Sequence, residues 1–203
     1  MDFEYYDITD TTINLSQIQS LINSTFEYLT GDFFVEQLPR VTFSELKKHA
    51  EKKQLIIGKS KDTLICCAIL VVSKHPVNGK ICGGLNALSV NKNYQRKGVA
   101  KELYKFVATE FLRLEIELQT GFVIVPNNDE LMKTHPSRFM ISWYEKLGLK
   151  VSKTVVVKNG DSYFAENEVK WEFFENFCQL LKPDGVRLFY YDVEVDKIIH
   201  KLL

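Results

Sequence analysis

The stretch LSVNKNYQRKGVA, residues 88–100, decides the fold of this chain. It starts with residues typical of a strand, passes through a polar loop and ends in small residues where an amphipathic helix begins. A helix N-terminus offers unpaired backbone N–H groups and the positive end of the helix dipole. Arg96 and Lys97 add positive charge, and Gly98 and Ala100 keep side chains away from an approaching group. The stretch therefore predicts a strand–loop–helix junction that binds phosphate.

The spacing separates this junction from two other phosphate sites. It lacks the Gly-Lys-Ser/Thr ending of the nucleoside triphosphatase loop, and it does not fit the GxGxxG of dinucleotide-binding proteins. The alternative interpretation is a basic turn capped by small residues. Two neighbours favour a ligand site instead: the strand at 88–90, and a second stretch, FMISWYEKLGL at residues 139–149.

Hydrophobic periodicity on both sides of the junction predicts the other elements. Before the junction it predicts a strand at 3–8, helices at 15–26 and from 42, and strands at 55–57, 64–72 and 80–90. After the junction it predicts a helix at 99–118, a strand at 121–125, a polar loop at 126–136, a helix at 137–147, strands at 151–157 and 163–174, a helical turn at 177–181, a strand at 187–193 and a closing helix. This order predicts an α/β sandwich around a mixed sheet.

A few single residues sharpen these boundaries. Thr42 and Glu45 form a capping box, and Gly148 stands where a left-handed C-cap belongs. The Gly83–Gly84 pair lies inside a predicted strand, where glycine is unfavourable unless a bulge or a close backbone approach requires it. We therefore mark this pair as a candidate ligand contact.

Composition limits the classes of function. The chain has 203 residues, 45% of them hydrophobic, with 26 basic and 26 acidic side chains. This balance argues against generic binding to nucleic acid or to an anionic membrane, and no apolar run approaches the roughly 20 residues of a membrane span. The start lacks the basic region of a signal peptide, so we expect a cytoplasmic protein. The four cysteines and four histidines show no ligand spacing, which predicts buried reduced thiols and no metal site.

Two motifs together resemble those of a known family. Residues 95–100, QRKGVA, resemble the Q/R-x-x-G-x-G/A acetyl-CoA signature of the GNAT superfamily of N-acetyltransferases, and residues 143–149, WYEKLGL, resemble its second hallmark. The resemblance covers about residues 3–174. It implies a GNAT domain at 1–174, whereas the C-terminal extension at 175–203, which the resemblance does not cover, is expected to pack on the same domain. It also implies a mixed, mostly antiparallel sheet that is splayed at its fourth and fifth strands, with the Gly83–Gly84 pair near a bulge.

The resemblance also implies a site for acetyl-CoA as co-substrate. The pantetheine arm would pair with the backbone of Leu88, Ser89 and Val90, and a backbone N–H near Leu88 would stabilise the oxyanion. Tyr144 would contact the cofactor and protonate the departing thiolate. Ser137 occupies the position of a family asparagine that contacts the cofactor. The pyrophosphate would lie on the amides of Gln95, Arg96, Lys97, Gly98, Val99 and Ala100.

The chain departs from the family in its general base. Residues 83–87 carry no carboxylate, so Asn86 would at most orient a water, and His135, on a loop expected to be exposed, is the less favoured candidate base. We expect acetyl transfer by direct attack of a primary amine, since no cysteine and histidine form a nucleophile motif. A small amine is the first choice of acceptor, and a protein lysine or N-terminus the second. A non-catalytic acetyl-CoA-binding module is the alternative.

The aromatic run at 189–191 predicts packing on the sheet, with a homodimer contact as the alternative.

Overall fold

The computed structural model of the chain describes residues 1–36, 38–75, 78–163 and 177–202. Its strands are β1 (Asp2–Tyr5), β2 (Leu55–Ser60), β3 (Thr63–Lys74), β4 (Ile81–Val90), β5 (Leu118–Pro126), β6 (Val151–Val157) and β7 (Val186–Glu194). Its helices are α1 (Leu15–Thr25), α2 (Glu27–Phe33), α3 (Phe43–Glu51), α4 (Val99–Arg113), α5 (Asp129–Thr134), α6 (Ser137–Lys146), α7 (Phe177–Leu180) and α8 (Val195–Leu202), with a 3₁₀ turn at Lys92–Tyr94.

The strands form one sheet in the order β1-β2-β3-β4-β5-β7-β6. Its neighbouring strands are antiparallel except β4 and β5, which run parallel and pair only at Cys82–Gly84 with Leu118–Thr120. Helices cover both faces: α4 and α8 pack on one side, and α1 and α3 on the other. The predicted mixed α/β sandwich is confirmed, and the short β4–β5 ladder leaves the outer half of β4 separated from β5.

Local signals set several element boundaries as expected. The Thr42 hydroxyl accepts a hydrogen bond from the Glu45 N–H, and the Glu45 carboxylate accepts one from the Thr42 N–H, so α3 begins with the predicted capping box. In α4, Leu103, Val107 and Phe111 are fully buried, as the apolar stripe predicts. Each of these helices forms where a local signal in the sequence and the burial of an apolar face both favour a helix.

The prediction for the end of α4 is wrong. The helix stops at Arg113, Glu115 adopts a left-handed φ of 54°, and Leu118 already belongs to β5. An apolar residue at 118 fits both the helical stripe and the strand, so periodicity alone does not separate them. The short helices α2 and α5 were not expected either, since seven and six residues are too few to show a helical period.

The C-terminal residues complete the sheet. Strand β7 lies between β5 and β6 and pairs antiparallel with both. The aromatic run at 189–191 therefore lies in an interior strand, and Tyr191 is only 2% exposed, which favours packing within the chain. The domain boundary at residue 174 stays a prediction. The strand expected at 163–174 falls almost wholly outside the described residues.

The described ranges contain no helix long and apolar enough to cross a membrane. Over the same ranges, no three His, Cys, Asp or Glu side chains are placed to hold a metal ion together. The predicted burial of the cysteines is confirmed, and none forms a disulfide. Burial raises the pKa of the Cys66 thiol to about 12, so this thiol is protonated and unreactive at neutral pH.

Gly83 is required by packing. A Cβ on Gly83 would lie 2.6 Å from Phe111 Cε1 and 3.0 Å from Ile116 Cδ1, both in the core. The bulge in β4 lies further along the strand, where Ala87 has a φ of 50° opposite the register shift between Cys67 and Ile69. The close approach of β4 to α4 therefore explains the glycine at position 83, and no ligand contact is needed to explain it.

We expect Gly83→Ala to destabilise the fold by about 1–3 kcal/mol, because the added methyl overpacks a rigid core contact. Thermal unfolding measures this, and Gly31→Ala is the matched control, since Gly31 lies in α2 with open space around its missing Cβ. The control should match or slightly exceed the stability of the parent. A Gly83→Ala protein as stable as the parent would show that Phe111 and Ile116 move aside at no cost.

Candidate functional site

The gap between β4 and β5 forms the candidate site. Beyond Gly84 the two strands diverge, and the space between them holds a cavity of about 60 Å³ that we call the splay cavity. Residues from five parts of the chain line it: Phe26, Arg40, Leu85, Asn86, Ala87, Leu88, Phe122, Val123, Ile124, Met140 and Tyr144. In this described lining Arg40 is the ionised side chain at neutral pH, and there is no carboxylate and no histidine.

The loop after β4 forms a cradle of backbone N–H groups at the start of α4. The Gln95 side-chain amide donates to the Val90 carbonyl over 2.9 Å and ties the loop to the strand end. Arg96 and Gly98 both have left-handed backbones, with φ of 60° and 81°, and Gly98 is the N-cap of α4. As Gly98 brings no side chain to cap the helix, the first-turn amides of α4 stay open for a ligand.

The side chains of this loop have separate roles. Arg96 and Lys97 are exposed, and the Lys97 ammonium lies 5.7 Å from the centre of the Tyr94 ring. Val99 is buried in the core, so only its backbone N–H is available. A Cβ built on Gly98 would have no atom within 4 Å, so a ligand can approach this backbone from open space. The loop therefore presents backbone donors with two nearby cations.

The outer half of β4 offers its backbone. Leu88 lines the splay cavity, whereas the Ser89 side chain is buried and its hydroxyl donates to the Ala87 carbonyl over 3.0 Å. Ser89 and Val90 pair with β3 on one side, and β5 has already diverged on the other. The β5-facing edge of this segment can therefore accept an extended ligand as a further strand would.

Tyr144 brings a proton donor to the same gap. Its half-buried ring lies 5.1 Å from the Trp143 ring and 5.4 Å from the Tyr191 ring, measured between centres. Burial raises the pKa of Tyr144 to about 12, so the phenol is protonated at any physiological pH. Asn86 lines the cavity near it, and its amide donates to the Gly84 carbonyl over 3.3 Å.

His135 and Ser137 lie outside the described lining of the cavity. His135 is 2% exposed, contrary to the expected exposed loop, and its Nδ1 accepts from the Ser137 N–H while its Nε2 lies 3.1 Å from an Asp32 carboxylate oxygen. Burial lowers the pKa of His135 and outweighs Asp32, which raises it. The Ser137 side chain is fully buried with its hydroxyl 2.7 Å from Nδ1. His135 thus links Ser137, at the start of α6, to Asp32 of α2, and the structure does not support His135 as base or Ser137 as a side-chain contact to the cofactor.

Arg40 lines the splay cavity, although no sequence signal pointed to it. It lies between α2 and α3, is 8% exposed and stands 5.5 Å from the centre of the Phe26 ring. No periodic pattern or motif surrounds it. Only the tertiary fold brings it beside residues 85–88 of β4, which line the same cavity.

Comparisons with known proteins agree with this geometry. Residues 17–148 match the profile of the Acetyltransferase (GNAT) family. A search of the curated proteins finds no match. Among solved structures, a protein from Streptococcus mutans UA159 is similar with a TM-score of 0.65 at 16% identity, covering 96% of this chain and 99% of that one.

Two further solved structures share the fold. An aminoglycoside 6'-N-acetyltransferase complexed with coenzyme A is similar with a TM-score of 0.62 at 13% identity, covering 96% of this chain and 97% of that one. The NatC complex bound to Gag peptide and CoA contains a chain similar with a TM-score of 0.59 at 14% identity, covering 95% of this chain and 97% of that one.

Proposed function

Because the chain belongs to the GNAT acetyltransferase family, we propose that it transfers acetyl from acetyl-CoA to a primary amine, within a ternary complex and without a covalent enzyme intermediate. The observation that carries the proposal is the opening between β4 and β5. The opening exposes the edge of β4 beside a protonated phenol, and the same strand leads into the loop before α4, whose N-terminus has no side-chain cap.

The residues of the loop and strand fit a CoA ester. The open amides of Gly98, Val99 and Ala100 would hold the pyrophosphate, with Arg96 and Lys97 neutralising part of its charge. The edge of β4 at residues 88–90 would hold the pantetheine arm. When bound, the thioester supplies the activated acetyl group. The backbone N–H near Leu88 would then stabilise the charge that grows on the carbonyl oxygen.

Tyr144 would act as the general acid. A phenol that stays protonated at neutral pH can donate to a sulfur whose negative charge is growing. The described lining of the splay cavity has no carboxylate, so proton removal from the acceptor would use water near Asn86, or the enzyme would select the neutral amine.

A small amine is the acceptor we favour, with a protein lysine or N-terminus second. The fold itself is compatible with both classes, since the similar structures include an aminoglycoside acetyltransferase and a complex bound to a peptide. The small volume of the splay cavity, about 60 Å³ with Phe26 and Arg40 in its lining, supports a small acceptor. The rival function is a non-catalytic acetyl-CoA-binding module, favoured by the missing carboxylate. Release of free thiol from acetyl-CoA with a panel of amines separates the two, since a binding module releases none.

We expect kcat/KM to rise about tenfold per pH unit from pH 6 towards the pKa of the acceptor, near 10 for an alkyl amine. Tyr144 adds no inflection in that range, because its pKa is about 12. With an amine of lower pKa, the rise in kcat/KM should occur at a correspondingly lower pH. His135→Gln should leave the profile unchanged while lowering stability, since both ring nitrogens of His135 are held by Ser137 and Asp32. A plateau from pH 6 to 7 that disappears in His135→Gln would instead identify His135 as the base.

A further inference from the structure

A second, smaller cavity lies behind Tyr144. It has a volume of about 20 Å³, and we call it the inner cavity. Its lining is Leu85, Gln119, Thr120, Gly121, Phe122, Tyr144, Leu149 and Tyr191. Leu85, Phe122 and Tyr144 line the splay cavity as well. Tyr144 therefore borders both spaces, namely the inner cavity and the splay cavity, in which the proposed reaction would release the thiolate.

The Tyr191 hydroxyl is a buried polar group that the fold leaves without a hydrogen-bond partner in the described part of the chain. Tyr191 lies on β7 opposite Gly121 of β5, with its ring against that of Tyr144. Burial raises its pKa, and the charges of Glu145 and of an ionised Tyr144 raise it further, so it remains a neutral hydrogen-bond donor. Buried hydroxyls in folded proteins nearly always bind a protein group or an ordered water.

The inner cavity suits one water molecule. A cavity needs roughly 10 to 15 Å³ to hold a water, and the water needs two to four polar partners. Gln119 supplies a further polar group beside the two tyrosines. It is buried, and its side-chain carbonyl accepts a hydrogen bond from the Tyr104 hydroxyl, which fixes the orientation of the amide.

We propose that Tyr191 is a positioning residue for Tyr144, acting through one water in the inner cavity that accepts from the Tyr191 hydroxyl and donates to the Tyr144 oxygen. The inference rests on the proposed function of Tyr144 as general acid. With its oxygen accepting from the water, Tyr144 directs its own O–H towards the splay cavity. As the proton passes from Tyr144 to the sulfur, the O–H bond breaks, the S–H bond forms, and the water stabilises the negative charge left on the phenolate oxygen.

The hydrogen bond from this water would make proton transfer from Tyr144 to the thiolate less unfavourable. The pKa of Tyr144 is about 12, whereas a free thiol has a pKa near 8.5, so transfer of the proton to the thiolate is uphill. A hydrogen bond donated to the charged form favours that form and brings the two proton affinities closer. The benefit exists only when charge develops on Tyr144, so it should appear in kcat and not in ligand affinity.

Tyr191→Phe tests the proposal. It should lower kcat at least tenfold, with the KM for acetyl-CoA and for the amine changed less than twofold. In a Tyr144→Phe background the same substitution should have no further effect on kcat, because its partner is gone. Gln119→Met, of similar length, should also lower kcat by removing a polar group that holds the water. The control is Tyr190→Phe, one residue earlier, whose hydroxyl bonds that of Tyr163 at 2.8 Å and lies in neither cavity.

Each result decides the proposal. Full turnover by Tyr191→Phe, or an equal loss in both backgrounds, overturns it while leaving Tyr144 as the acid. A loss in Tyr190→Phe as large as that in Tyr191→Phe also overturns it, since the effect would then come from sheet stability. If Tyr144→Phe itself keeps full turnover, the proposed acid and this inference fall together. Should Tyr191→Phe unfold, the Gln119→Met result in the two backgrounds decides in the same way.

Discussion

Replacing Gly98 with glutamate should weaken CoA binding at least 100-fold. Gly98 is the N-cap of α4, its φ is 81° and the space around it is open, so a side chain there occupies the path of the pyrophosphate. Glutamate also adds a negative charge beside another, and two unit charges about 4 Å apart near a protein surface repel by about 4 kcal/mol. Isothermal titration with CoA measures the loss. Binding by Gly98→Glu as tight as by the parent would contradict the assignment of the loop.

Two variants show whether the effect arises from the cradle. Gly98→Asn has a shorter, uncharged side chain that tolerates a positive φ, so the loop keeps its shape and binding should fall much less than in the glutamate variant. Arg96→Ala removes an exposed charge and should weaken binding by about 1 kcal/mol, or roughly fivefold. Equal losses in Gly98→Glu and Gly98→Asn would trace the effect to backbone strain.

Replacing Tyr144 with phenylalanine should lower kcat by about 100-fold or more. The substitution keeps the ring contacts with Trp143 and Tyr191 and removes only the hydroxyl, so the fold and the CoA affinity should change little. Steady-state release of free thiol, together with titration of CoA, separates the two quantities. The loss of kcat caused by Tyr144→Phe should be smaller with an acetyl thioester whose leaving thiol has a lower pKa, because such a thiolate leaves more readily without protonation.

Unchanged turnover in Tyr144→Phe would show that Tyr144 contributes packing and is not the general acid. Trp143→Phe is the matched control, since Trp143 neighbours it on α6, packs on Tyr104 and lies outside the described lining of the splay cavity. That control should lose stability and keep most of kcat. A loss of kcat in the control as large as that in Tyr144→Phe would show that the packing of α6, and not the hydroxyl, limits the reaction.

The loop before α4, the starts of α3 and α4 and the end of α6 follow from the sequence because their signals are local. A glycine before the apolar stripe of α4 defines the N-cap, and Gly148 takes a φ of 93° after α6, as its position predicts. The Thr42–Glu45 capping box places the start of α3 in the same way. In each case the deciding hydrogen bond or backbone angle involves residues only a few positions apart, so the pattern is visible without the fold.

The position of β7 between β5 and β6, and with it the inner cavity, was decided only in three dimensions. Tyr191 meets Tyr144, 47 positions earlier in the chain, because β7 pairs with Gly121 and its neighbours, and no local pattern records such a pairing. Arg40 reaches the splay cavity in the same way, and His135 is buried because α2 packs onto it, with the Phe33 ring centre 4.9 Å from that of His135 and Asp32 bonded to its Nε2. The sequence by itself determined most of the strands, the starts of α3 and α4 and the glycine-containing loop before α4, since short-range hydrogen bonds and periodicity encode them. Long-range burial chose the order of the strands, and this order decided which side chains surround the gap.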